Sequence, residues 1–246
     1  MHGFARSTAA ILALGLLAAG CGSSSRRGGP AGTTTPGATA STGPQGLPGS
    51  YLGSYASGSG QADSGQVGLI VFPDLSFSAI AVSAVDESVR ESAQGSLNPD
   101  GTIRSIVTWG GTSFTLDLTR LSGTYASNLS TGSFTLRRAP AGGAVGCYFG
   151  TTTNLTLGIT GQWMGVVDEQ DRMFALYYYP HPVPYLSEGV YGTVAPDAAG
   201  GWTVSASNTS NAVIGQGSLS AGGWFSGTWD SPSQGQSGTW TGTRNP

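Results

Sequence analysis

The sequence predicts an all-β protein whose body is a tandem duplicated antiparallel meander, closed as a barrel or folded as a sandwich. Short apolar runs alternate with polar residues, Gly, Asn, Asp or Pro ends each run, and the chain matches itself at one fixed offset. Only 9% of the 246 residues are charged and none is Lys, which argues against long surface helices. The formal net charge of -3 provides no basic stripe, so nucleic acid is not an expected partner.

The first segment, residues 1–20, has the form of a secretory signal peptide. A short charged stretch ends at Arg6, and an apolar stretch follows from Ala9 to Ala19. This stretch is shorter than the roughly 20 residues of a transmembrane helix but suits the core of a signal peptide. The chain is therefore expected to be exported.

The signal peptide ends in a motif that carries a family resemblance. Leu17-Ala18-Ala19-Gly20-Cys21 resembles the lipobox of bacterial lipoproteins, although Ala18 stands where that pattern prefers Leu. The resemblance implies cleavage before Cys21, lipidation of that cysteine, and a membrane partner through its acyl chains. Gly22, in place of an Asp, implies the outer membrane of the bacterial cell envelope. The alternative is an ordinary secretory signal with a chance cysteine.

A tether follows the lipidated cysteine and occupies residues 21–49. It consists almost wholly of Gly, Ser, Thr, Pro and Ala, with Arg26 and Arg27 as its only charges. Such a composition cannot bury a core, so we expect a disordered linker. Its root-mean-square span is on the order of 30 Å by square-root scaling. The folded body would then stand away from the membrane surface.

The body is predicted from its alternating runs, and each half has room for eight short strands. In the first half the runs are Gly65 to Phe72, Leu75 to Ser83, Thr102 to Trp109, Thr112 to Leu118 and Gly132 to Arg137. In the second half they are Gln162 to Val167, Arg172 to Tyr179, Gly189 to Val194, Trp202 to Ser207, Trp224 to Trp229 and Gly238 to Thr243. Turns such as Asn98-Pro99-Asp100-Gly101 separate them.

An offset of 97 residues aligns the chain with itself, pairing Tyr51 with Tyr148, Asp74 with Asp171 and Phe77 with Phe174. We therefore predict one β repeat at 50–138, a linker at 139–146 and a second repeat at 147–246. The pattern leaves open whether each half closes on itself or both join in one larger sheet. A membrane-spanning barrel would need strands of about ten residues, longer than these.

The repeated triplets Gly123-Thr124-Tyr125 and Gly227-Thr228-Trp229 resemble strand ends in the small barrels of bacterial surface lipoproteins such as the transferrin-binding protein family. This resemblance covers only those strand ends. It implies a small barrel and carries no site residue with it, and it leaves open whether the body lies in the periplasm or on the cell surface.

No catalytic template, phosphate loop, dinucleotide fingerprint or paired-cysteine metal motif occurs, so no enzyme activity, cofactor or metal is expected. The expected binding region is the Pro-rich loop between two strands of the second half. The simpler interpretation of this segment is a rigid hairpin loop with its His in water. The alternative is an aromatic recognition loop, because Tyr side chains offer a large contact area at low entropic cost. The candidate ligand residues are Tyr178, Tyr179, His181 and Tyr185.

Other residues support secondary hypotheses. Asp168 and Asp171, with Glu169, could supply an acid and base pair for a hydrolase or bind calcium, but a solvated turn is the simpler interpretation. The six Trp residues are expected mainly in the core, and Cys147 is expected to be buried. The predicted function is a non-catalytic binding or adhesive module of the envelope, with an envelope protein, a glycan or a small ligand as its partner. A structural or assembly lipoprotein is the alternative.

Overall fold

A computed structural model describes residues 46–86, 90–109, 111–178, 188–208 and 212–245. These residues belong to one compact unit spanning residues 41–246. The predicted signal peptide, Cys21 and most of the predicted tether lie outside the described residues. Within the described part of the chain, no helix is long and apolar enough to cross a membrane.

The described chain forms sixteen β-strands in two groups of eight. The first group is β1 Gly49–Gly60, β2 Ser64–Val71, β3 Ser76–Ser83, β4 Arg90–Leu97, β5 Ile103–Trp109, β6 Ser113–Asp117, β7 Ser122–Ala126 and β8 Ser130–Arg138. The second group is β9 Gly146–Asn154, β10 Ile159–Val167, β11 Arg172–Tyr178, β12 Glu188–Pro196, β13 Trp202–Ser207, β14 Ile214–Leu219, β15 Trp224–Ser231 and β16 Gln236–Arg244. The predicted all-β class is confirmed.

Each group forms a sheet of its own, one nearly closed and one closed, which answers the question that the sequence left open. In the first, β1 pairs antiparallel with both β2 and β8, and the strand order is β5-β4-β3-β2-β1-β8-β7-β6. This nearly closed sheet, called barrel 1 here, is open between β5 and β6 except for one bridge between Thr102 and Asp117. In the second, called barrel 2, every neighbouring pair is hydrogen-bonded and β16 returns to β9. The tandem antiparallel meander is therefore confirmed.

The strands of the two barrels correspond one to one along the chain. β1 and β9 begin at Gly49 and Gly146, so they are 146 − 49 = 97 residues apart. β8 and β16 begin at Ser130 and Gln236, 236 − 130 = 106 residues apart. The offset therefore increases by 106 − 97 = 9 residues along the chain, while strand order and direction stay the same.

Glycines opposite aromatic rings explain the repeated Gly-Thr-aromatic triplets. In barrel 1, Tyr125 lies across from Gly132 on the neighbouring strand, and Gly123 lies across from Phe134. A Cβ on Gly132 would lie 2.7 Å from the Tyr125 ring, so the ring needs a residue without a side chain there. In barrel 2 the same reciprocal arrangement joins β15 and β16. Its pairs are Gly227 with Trp240 and Trp229 with Gly238.

The two barrels pack together through the outer faces of neighbouring strands. Leu52, Ile70 and Ile80 of barrel 1 form one buried cluster with Met164 and Val166 of barrel 2. This cluster is a second apolar core between the barrels. Because it removes apolar area from water on both sides, it holds the two halves together.

Cys147 lies in this cluster and is fully buried, as predicted. Its thiol donates to the backbone oxygen of Tyr51 at 3.3 Å. Burial raises the pKa of the Cys147 thiol to about 12. The residue therefore acts as a small packing side chain, and it stays protonated at neutral pH.

Candidate functional site

Barrel 2 has a filled interior. Trp163 and Trp240 are completely buried, and their ring centroids lie 5.7 Å apart. The Phe225 ring lies 4.9 Å from Trp240 and 5.0 Å from Trp163, and Tyr177 lies 5.5 Å from Trp240. These distances are typical of packed aromatic pairs. The expectation that Trp residues serve mainly in the core is confirmed for Trp163, Trp229 and Trp240.

Barrel 1 contains a cavity that is open at one end, and the empty space of about 1140 Å³ in and around it includes solvent outside the opening. Its walls are mostly apolar, and Ala occupies several inward positions. Ala79 and Ala81 lie on β3, and Ala93 lies opposite Ala79 on β4. Larger side chains on the remaining wall include Val67, Leu69, Phe77, Ile106, Phe114 and Leu136. Short side chains on two adjacent strands therefore leave the space that aromatic rings occupy in barrel 2.

One end of barrel 1 is closed by leucines from the turns and strand ends. They pack into the same apolar cluster as the wall residues, and none of them lines the cavity. The Tyr51 hydroxyl donates to the backbone oxygen of Leu47 at 2.7 Å, which holds the segment before β1 across this end. The leucines are Leu47, Leu75, Leu97, Leu118 and Leu121.

The opposite end is the polar rim of the cavity, where described residues of the β1–β2, β3–β4, β5–β6 and β7–β8 connections lie. Asp63 is held there by two hydroxyl donors. Tyr55 donates to its Oδ2 at 2.8 Å, and Ser83 donates to its Oδ1 at 2.6 Å. Because Ser83 also accepts from the backbone of Val85 and Asp86 at 3.0 Å, the rim is a connected network.

Glu91 supplies a second carboxyl group to this end of the cavity. Its Oε1 accepts from the Thr112 hydroxyl at 2.6 Å, while its Oε2 is buried without a hydrogen-bond partner. Burial raises the pKa of Glu91, and the hydrogen bond from Thr112 opposes that rise. The Tyr125 hydroxyl is also buried without a partner, and its ring packs edge-on to Tyr55 at 5.5 Å. Two polar atoms thus have unused hydrogen-bonding capacity beside the cavity.

The described charged residues that line the cavity all have the same sign. Asp63, Asp86 and Glu91 line the cavity, and no Arg, Lys or His is among the described residues that line it. Burial raises the pKa of Tyr55, and its hydrogen bond to Asp63 raises it further, so this hydroxyl stays a neutral donor. Carboxylate groups therefore surround the opening of an apolar interior, and hydroxyl groups of Tyr55 and Ser83 donate to one of them.

The sequence-predicted ligand residues belong to the connection between β11 and β12. Tyr178 ends β11, while Tyr179, His181 and Tyr185 lie outside the described residues. In chain order this connection corresponds to the β3–β4 loop, which contributes Val85 and Asp86 to the rim of barrel 1. The role of the Tyr-rich loop stays a prediction.

Asp168, Glu169 and Asp171 form the turn between β10 and β11. Asp168 is buried, and its Oδ1 accepts from the backbone nitrogens of Gln170 and Arg172 at 3.0 Å. Its Oδ2 binds the Arg172 guanidinium at 2.7 Å. Glu169 forms an ion pair with Arg137 of barrel 1. These contacts give Asp168 and Glu169 structural roles in the turn and between the barrels.

Among the described residues, no three His, Cys, Asp or Glu side chains are grouped so that they could hold a metal ion. The cavity of barrel 1 was not predicted from the sequence, because its size depends on the summed volume of all side chains that point into the barrel. The one local signal was the alternation of small residues in Ser78-Ala79-Ile80-Ala81, where both alanines point to the same face.

The fold and the cavity define a class: a tandem of two eight-stranded antiparallel barrels, the first of which holds a cavity. The sequence matches no known family model, and no curated protein matches it significantly.

Proposed function

We propose that this protein is a lipid-anchored binding protein of the bacterial envelope that holds an apolar small molecule in barrel 1 without catalysing a reaction. The observation that carries the proposal is the contrast between the two interiors. Eight strands enclose a space that side chains fill or that one small ligand occupies. Side chains fill the interior of barrel 2. The cavity of barrel 1 instead has the apolar walls and few polar groups that are typical of a ligand site.

Barrel 2 supports this function as a scaffold. Its aromatic core needs no ligand, and its outer face buries Ile70 and Ile80 of barrel 1. Both residues belong to β2 and β3, which form the cavity wall with their other face. The packed barrel thus fixes the strands that shape the hollow one.

The anchor is part of the same proposal and rests on the lipobox resemblance at Cys21. Replacing Cys21 with Ser is expected to move the protein from the membrane fraction to the soluble fraction, because the acyl chains have no other attachment point. Immunoblotting of fractionated cells measures this. Continued sedimentation of the Cys21→Ser protein with outer membranes would contradict an anchor at this residue.

The binding proposal is tested with N-phenyl-1-naphthylamine, a neutral probe that fluoresces in apolar surroundings. We expect saturable binding of one probe per chain. Ala79→Leu, which fills part of the cavity, should weaken binding about tenfold if it removes contacts equivalent to about 1.4 kcal/mol. Ala199→Leu changes an exposed turn residue of barrel 2 and serves as the matched control. Absence of saturable binding, or equal affinity of both variants, would refute the proposal.

A further inference from the structure

We infer that the ligand of barrel 1 is a single-chain amphiphile whose headgroup carries a cationic nitrogen. This inference rests on the proposed function of the cavity and adds the chemistry of the ligand. It follows from three features of the open end: the sign of its charges, its unused hydrogen-bonding atoms and its aromatic rings.

The charges favour a cation over an anion. Asp63, Asp86 and Glu91 line the cavity at or near the rim, with no described cationic side chain among the lining residues. An anionic headgroup would therefore meet like charges, whereas a cation would find carboxylates in a partly desolvated place where charge pairs are stronger than in water. Because Asp63 is fixed by Tyr55 and Ser83, this carboxylate is already oriented before any ligand arrives.

Of the two unpartnered polar atoms, the Glu91 oxygen favours a headgroup that donates hydrogen bonds, whereas the Tyr125 hydroxyl can donate or accept. Glu91 Oε2 is a buried oxygen without a partner, and an ammonium group carries only donors. A hydrogen bond from a cationic N–H to a carboxylate is stronger than one between neutral groups. Burial raises the pKa of Glu91, and a cation beside it would favour its ionised form.

The aromatic rings at this end add to the preference. Tyr55 and Tyr125 both line the cavity, and their rings are arranged edge to face with an interplanar angle of 83°. A cation close to a tyrosine ring face is attracted by the ring electrons. Below the rim, the walls contain Val67, Leu69 and Phe77, which suit an alkyl chain. The cavity therefore combines an acceptor-rich opening with an apolar interior.

The test compares three probes with the same chain and different heads: dodecylamine, 1-dodecanol and dodecanoate. Each is titrated below micelle formation against the full-length protein loaded with N-phenyl-1-naphthylamine, at neutral pH. We expect dodecylamine to displace the naphthylamine at about tenfold lower concentration than dodecanoate, the size of one charged hydrogen bond. The displacing concentration of dodecanol should lie between those of dodecylamine and dodecanoate. Added salt should reduce the difference between the amine and the carboxylate.

Two variants assign the preference to the rim. Glu91→Gln keeps the shape of the side chain and its acceptor for Thr112, and it should bring dodecylamine binding close to that of dodecanol. Asp86→Asn, at an exposed rim position, should also reduce the difference in binding between dodecylamine and dodecanol, but by a smaller factor than Glu91→Gln does. Asp230→Asn removes an exposed carboxylate on barrel 2 and is the matched control, expected to leave the order of the three probes unchanged.

The outcomes separate this inference from the proposed function. If dodecanol displaces the naphthylamine and dodecanoate binds as tightly as dodecylamine or more tightly, the cationic headgroup is overturned. The proposed apolar site would still stand. An amine preference that survives unchanged in both Glu91→Gln and Asp86→Asn would also overturn it. Failure of all three probes to displace the naphthylamine would overturn the alkyl chain, whereas failure of the naphthylamine itself to bind would refute the proposed function.

Discussion

Individual glycines determine where the aromatic rings of both barrels lie. Gly227 pairs with Trp240 across β15 and β16, and Gly123 pairs with Phe134 across β7 and β8. Each ring covers the backbone of the opposite strand, which shields hydrogen bonds that a glycine would otherwise leave exposed. In both barrels, each of the two strands places a glycine opposite an aromatic ring of the other strand. This arrangement is a physical reason for the repeated Gly-Thr-aromatic triplets.

Gly227→Ala should destabilise the protein by about 1–3 kcal/mol, the usual cost of overpacking. Its new Cβ would overlap the Trp240 indole and the backbone oxygen of Gln216. Chemical denaturation followed by Trp fluorescence measures the change in the free energy of unfolding. Gly142→Ala is the control, because a Cβ at Gly142 meets no atom within 4 Å. Equal stabilities of the two variants would contradict the role of Gly227.

Cys147 should resist thiol reagents as long as the protein is folded. Burial raises the pKa of its thiol from 9.0 to about 12, so almost no reactive thiolate exists at neutral pH. Ellman's reagent, applied to the Cys21→Ser protein, should react only after denaturant is added. Rapid labelling of the native protein would show that the contact between the barrels opens.

The same pKa predicts the direction of alkaline destabilisation. Below pH 9.0 the thiol is protonated in both the folded and the unfolded chain, so the Cys147 contribution is fully present. As pH rises from 9.0 to about 12, the unfolded chain releases the proton first, and the free energy of unfolding falls. Denaturation curves across this range measure the effect, and Cys147→Ala should show a smaller decrease.

Strand patterns predicted much of the fold but missed elements that are rich in Gly and Ser. β14, Ile214–Leu219, has the sequence IGQGSL, which shows little preference for strands, yet it is paired on both sides by β13 and β15. β4, Arg90–Leu97, has the sequence RESAQGSL and lies between β3 and β5. Their ladders come from neighbouring strands, so tertiary context overrides local propensity.

The candidate site was less predictable than the strands. Neither the small volume at Ala79 and Ala93 nor the closure of one end by Leu47 can be inferred until strand register is known. The predicted Tyr-rich loop and the rim of barrel 1 belong to corresponding connections in the two repeats. The role of the Tyr-rich loop itself stays a prediction.

The gap between β5 and β6 is the main difference in strand pairing between the barrels. β5 and β6 each have one fully paired neighbour, whereas the corresponding β13 and β14 pair with each other. Backbone amides at such an edge open to solvent more readily than those in a closed ladder.

Amides of β5, Ile103–Trp109, and β6, Ser113–Asp117, should therefore exchange hydrogen for deuterium faster than those of β13 and β14. Hydrogen exchange followed by mass spectrometry measures the four segments in one experiment, with β13 and β14 as internal controls. Equal protection of the two pairs would contradict an open seam in solution.

In the molecule as a whole, the two barrels share one strand order but differ in how their interiors are filled. Where barrel 1 has Tyr125 and Phe134, barrel 2 has Trp229 and Trp240 in the matching strand pairs. Larger rings fill barrel 2, and smaller side chains leave barrel 1 hollow. We therefore propose that barrel 2 serves as a scaffold and that only barrel 1 binds ligand.

The most direct test applies one substitution to each barrel and measures both stability and affinity for N-phenyl-1-naphthylamine. Ala79→Leu fills empty space in barrel 1, so it should weaken probe binding with little loss of stability. Ala175 is completely buried in the core of barrel 2, so Ala175→Leu should reduce stability by about 1–3 kcal/mol and leave affinity at the wild-type value. Loss of binding in folded Ala175→Leu protein would contradict these separate roles of the two barrels. So would an Ala79→Leu variant that is destabilised as much as Ala175→Leu and still binds the probe.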